Sequence, residues 1–145
     1  MGMNPPPPSD IPPDAQPYPE DAAGDRHAAP PTSAAAARDR VRELLLLAGV
    51  ALDSVAAADA LLVTSELVTN AIRHGGGVVA FRAGVEDGIL HLSVTDASPR
   101  LPTARTGTAD QPGGYGWLLV QRLAERVECS PRPGGKTITM ALRLG

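Results

Sequence analysis

Three consecutive glycines, Gly75, Gly76 and Gly77, limit the fold more than any other feature, because the hydrophobic period changes across them. Before them the pattern is helical. Val41, Leu44, Leu45 and Ala48 follow the i, i+3, i+4, i+7 rule of a buried stripe. Thr32 or Ser33 can cap that helix, and Gly49 stops it near residue 48. A second helix is predicted from a cap at Asp53 or Ser54 to His74, with Leu61, Leu62, Val68 and Ile72 as its apolar stripe. After the glycines the period drops to two. Residues 78–82 and 89–95 read as strands joined by a turn at Glu86, Asp87 and Gly88, and Asp96 closes the second strand. Residues 97–113 hold three prolines and read as a long loop. Gly114 and Gly116 lead into a third helix over about 117–126. A final hairpin pairs 127–130 with 137–144. Strands linked as hairpins predict an α+β fold, a two-layer sandwich of a mixed or antiparallel sheet with helices on one face.

Aromatic residues are only 3% of the 145-residue chain, so Leu, Val, Ile and Ala must build the core. Residues 1–32 are rich in Pro and Ala with almost no large apolar side chains. Such a segment buries too little surface to offset its conformational entropy and is expected to be a disordered tail of polyproline II character. That leaves one domain over 33–145. A net charge of −3 argues against nucleic acid as the partner. Cys129 is the one cysteine, so no intrachain disulfide can form. The start of the chain lacks a signal-peptide pattern, and the apolar run over 41–52 is too short to span a bilayer. A soluble, cytoplasmic protein with no membrane partner is expected.

Three stretches can carry chemistry. On the second helix Glu66, Asn70 and His74 are spaced i, i+4, i+8 and share one face, either a functional one or the solvated side of an amphipathic helix. Asn is a poor residue in the middle of a helix, and Glu and Asn both offer the oxygen ligands that suit Mg²⁺. Asp96, at a strand end beside an irregular loop, can accept a hydrogen bond from a ligand amine such as that of adenine, or can simply start the turn. Gly114 and Gly116 let a backbone approach phosphate at a helix start, or simply form a loop-to-helix junction. Two look-alikes are set aside. Gly114, Gly116 and Leu119 fail the dinucleotide fingerprint at its third glycine, and Gly135-Lys136-Thr137 precedes a strand where a P-loop needs a helix. Lys136 is read as a hairpin-turn residue.

In their order, Glu66 to His74, then Asp96, then Gly114-Tyr115-Gly116, then Gly135-Lys136-Thr137 resemble the ATPase domain shared by histidine kinases, DNA gyrase and heat-shock chaperones, the GHKL superfamily. The chain looks most like the small anti-sigma-factor serine kinases of bacterial partner-switching systems and the short ATP-binding regulatory proteins of actinobacteria. The resemblance covers about residues 33–144 and implies the histidine-kinase-like ATPase fold, with ATP and Mg²⁺ as cofactors. It implies that Asn70 binds Mg²⁺, Glu66 orients or deprotonates the attacking hydroxyl, and Asp96 receives the adenine amino group. Gly114 and Gly116 would border the triphosphate, residues 97–113 would form a lid, and Thr137 would sit near adenine. Arg73, His74, Arg100 and Arg105 are candidates for phosphate contacts. The implied activity is that of a serine/threonine protein kinase and anti-sigma factor, its partners a sigma factor or a small anti-anti-sigma protein, with a homodimer expected by resemblance alone. The other reading is a nucleotide-gated binding module with little catalysis. The family's first glycine box reads Asp-x-Gly-x-Gly, whereas Ala97, Ser98, Pro99 and Arg100 follow Asp96 here.

Overall fold

The computed structural model describes residues 23–24, 29–100 and 114–145. Arg105 and most of the expected lid lie outside the described residues, as does most of the expected tail. The elements run β1 (Ala23–Gly24), α1 (Ala34–Leu47), α2 (Val55–His74), β2 (Val78–Glu86), β3 (Ile89–Asp96), α3 (Gly114–Leu123), β4 (Arg126–Arg132) and β5 (Gly135–Arg143). The strands form one sheet in the order β1-β2-β3-β5-β4. Every pairing is antiparallel, which settles the choice between a mixed and an antiparallel sheet. The helices pack on one face of it, α2 chiefly over β3 and α1 over β2.

Local chemistry explains the boundaries. Ser33 accepts a hydrogen bond from the Ala36 amide and caps α1, and Ser54 does the same for α2 through the Ala57 amide. Asp87 and Gly88 both sit at positive φ, 54° and 72°, in the two-residue turn between β2 and β3, the conformation for which Asp-Gly is favoured. A register shift between Val78 and Ala80 bulges β2 at its start.

The core lies between helices and sheet. α1 contributes Ala37, Val41 and Leu45. β3 contributes Leu90, Leu92 and Val94, and β5 Ile138, Met140 and Leu142. On α2 the buried stripe is Ala57, Ala60, Val63, Thr64, Leu67, Val68 and Ala71. This corrects the stripe expected from the sequence: Val68 is buried, but Leu62 and Ile72 stay 39% and 41% exposed. The small side chains let α2 lie close to the sheet, and the azimuth that buries them turns Leu62 and Ile72 outward. α2 is also the one described helix long and apolar enough to cross a membrane by length and composition. Its buried stripe makes it the central helix of this core. Other boundaries move as well: α3 ends at Leu123 rather than near 126, and Arg126 opens β4. α3 begins at Gly114 rather than at about 117, so both glycines lie inside its first turn. β4 and β5 approach to a two-residue turn at Pro133 and Gly134, so Lys136 lies in β5 and not in the turn.

Candidate functional site

Glu66, Asn70, Asp96 and Gly116 are brought together because α2 is tied at two points to other elements. At Gly116 a Cβ would fall 1.9 Å from Glu66 Oε2, so the glutamate carboxylate occupies the space that a side chain on the first turn of α3 would need. The amide end of a helix favours negative charge, and the glycine opens the approach. At the other end of α2, a Cβ on the C-cap residue Gly75 would fall 2.5 Å from the Asp96 carboxyl. The Ala97 amide donates to the Gly75 carbonyl at 2.8 Å. Gly135 completes the enclosure, since a Cβ there would lie 2.1 Å from the Asp96 carbonyl oxygen. The stretches containing Glu66, Asp96 and Gly116 thus converge on one helix, and Asn70 lies between the two ties.

Glu66 and Asn70 are half-buried, whereas Arg73, His74 and Arg100 are exposed. Arg73 and His74 form the last turn of α2, beside the Gly75 cap. Among the described residues no side chain hydrogen-bonds to Asn70, so its amide oxygen is uncommitted. Mg²⁺ commonly takes one or two protein oxygens and completes its shell with phosphates and water. Asn70 fits that demand. No group of three or more His, Cys, Asp or Glu among the described residues could hold a metal by itself.

Asp96 is 5% exposed, and each of its carboxylate oxygens has one partner within the protein. Lys136 Nζ lies 2.8 Å from its Oδ2, and the Ser98 amide donates to its Oδ1 at 2.9 Å. Nζ also donates to the Ser98 carbonyl at 3.2 Å. The two residues face one another in the β3–β5 register. Lys136 is thus a site residue that the turn assignment missed. The signal was in the strand period: Lys136 shares parity with Ile138, Met140 and Leu142 and must point with them to the helix side. Thr137 has the opposite parity and does not join Asp96. On the outer face of the sheet its hydroxyl pairs with that of Thr95 at 2.8 Å, and Arg132 donates to it at 3.3 Å.

Among the described residues, two titratable groups on the sheet strands are shifted. Burial pushes the Cys129 thiol up, with Lys136 opposing and Asp96 reinforcing the effect. Burial, and then the charge of Arg126, hold His91 below its ordinary value of 6.5.

Residues 27–142 match the family model described as the histidine kinase-like ATPase domain. The chain belongs to the histidine kinase-like ATPase domain family. This family implies ATP as ligand, and its fold is the α+β architecture described above. Among solved structures the chain is similar to the blue-light activated histidine kinase of Erythrobacter litoralis EL346 (24% identity, TM-score 0.45, 61% of this chain and 30% of that one). It is similar to the Acinetobacter baumannii histidine kinase AdeS (18%, 0.44, 61% and 47%). The histidine kinase domain of the Erythrobacter protein also matches (19%, 0.47, 81% and 70%). The chain thus spans less than half the length of the first two. No curated protein matches it.

Proposed function

We propose that this histidine kinase-like ATPase domain binds Mg²⁺–ATP and transfers the γ-phosphoryl group to a serine or threonine of a small antagonist protein, acting also as an anti-sigma factor in the cytoplasm. One observation carries the catalytic part: the Glu66 carboxylate fills the space at Gly116, on the helix that also bears Asn70 and ends against Asp96. Phosphoryl transfer needs positioning and charge neutralisation more than covalent chemistry by the protein. Asp96 accepts from the adenine amino group, and the first turn of α3 borders the triphosphate. Glu66 takes the proton from the acceptor hydroxyl as its oxygen bonds phosphorus and ADP leaves. Asn70 holds Mg²⁺, which neutralises phosphate charge when bound. Arg73, His74 and Arg100 stand exposed, where phosphate contact is open to them. Phosphorylation of the antagonist releases it and leaves the domain free to hold its sigma factor, with the sequence resemblance as support for that choice of partners.

The test is calorimetry with ATP and Mg²⁺, followed by labelled-ATP transfer to candidate antagonists. Binding that weakens in Asn70→Ala and Asp96→Ala supports the nucleotide part. Transfer undiminished in Glu66→Ala sinks the catalytic role. A second reading, a nucleotide-gated binding module, is favoured by the altered segment after Asp96, where Ser98 bonds back to the carboxylate. Binding without hydrolysis or transfer to any partner would select it.

A further inference from the structure

Lys136 is the only lysine in the chain, beside twelve arginines, and its side chain is 4% exposed. Burying an ammonium is costly unless its donors are met. The group carries three N–H donors. Asp96 Oδ2 and the Ser98 carbonyl take two of them, and among the described residues no acceptor takes the third. Each Asp96 oxygen accepts one hydrogen bond and has a second lone pair free. The end of β3 and the start of β5 therefore present an acceptor and a charged donor side by side, held by Gly75 and Gly135 and largely sealed from water.

The geometry points to Lys136 as a specificity residue that reads the purine ring directly: Asp96 accepts from the 6-amino group while Lys136 Nζ donates to N1. This rests on the nucleotide reading of Asp96 given above. A 6-amino purine offers that donor and acceptor in adjacent positions. A 6-oxo purine in the same pose sets an acceptor against the carboxylate and an N–H against the ammonium. Buried polar groups left unmet in this way are what make such a site selective.

The decisive probe is 1-deaza-ATP, which keeps the 6-amino group and carries C–H in place of N1. Titrated into the full chain, it should bind about ten-fold or more weaker than ATP, the loss expected for one charge-assisted hydrogen bond. Lys136→Met should bind the two alike. That variant loses a buried counter-ion, so the comparison on the unaltered chain stands without it. Equal affinity of the unaltered chain for both nucleotides overturns the assignment and leaves Lys136 as a counter-ion to Asp96 only. No binding of ATP at all would sink the nucleotide reading itself, and this assignment with it.

Discussion

At the residue scale the fold hangs on close contacts that allow no spare atom. Gly116→Ala would meet only the far end of the Glu66 side chain, which can swing aside. Stability should change by about 1 kcal/mol or less in urea unfolding, while phosphoryl transfer falls because the carboxylate has been moved. Gly135→Ala meets backbone, which cannot swing, and should cost about 3 kcal/mol. Breaking the Asp96–Lys136 pair with Lys136→Met strands a buried charge and should cost about 3–5 kcal/mol. Adding Asp96→Asn should recover part of that loss, read as coupling in a double-mutant cycle. His91 gives a pH signature. Its pKa is depressed in the folded state, so the unfolded chain binds more protons and stability rises with pH. The penalty is absent well above 6.5 and grows as pH falls through that value, and His91→Gln should flatten the slope between pH 7 and 5 in chemical denaturation. Of these residues, Glu66, Asn70 and Asp96 were legible as polar side chains at strategic places. Lys136 was legible only through strand parity, and reading the turn as running from 131 to 136 hid it.

At the element scale the sequence was clearest where local chemistry decides. Ser33 and Ser54 cap their helices, and Asp87-Gly88 turns the hairpin, as their side chains and φ freedom require. Ser54→Ala should lower stability by about 1 kcal/mol in thermal or urea unfolding, since the Ala57 amide loses its acceptor. Tertiary packing decided the rest. α2 is apolar on so many sides that size alone suggested Leu62 and Ile72 for the core, while the sheet selected the alanines at 57, 60 and 71. The start of α3 was hidden for a related reason. Glycine is among the poorest helix formers, so a helix opening on Gly114 and Gly116 goes against propensity. Gly116 is there because Glu66 needs the volume.

At the scale of the whole molecule, three helices on one face of an antiparallel sheet place the long helix α2 between α3, proposed to border the triphosphate, and β3, proposed to receive the base. A ligand that bridges both ends binds the folded chain and not the unfolded one. Mg²⁺–ATP at a hundred times its Kd should add about 2.7 kcal/mol to the unfolding free energy, with a smaller gain in Asn70→Ala at the same concentration. The join between α2 and β3 has a consequence for genetics. Gly75 offers no side chain to a ligand, yet any larger residue there pushes against the Asp96 carboxyl. In a random-mutagenesis screen for lost nucleotide binding, hits should gather at codon 75 as well as at codon 96.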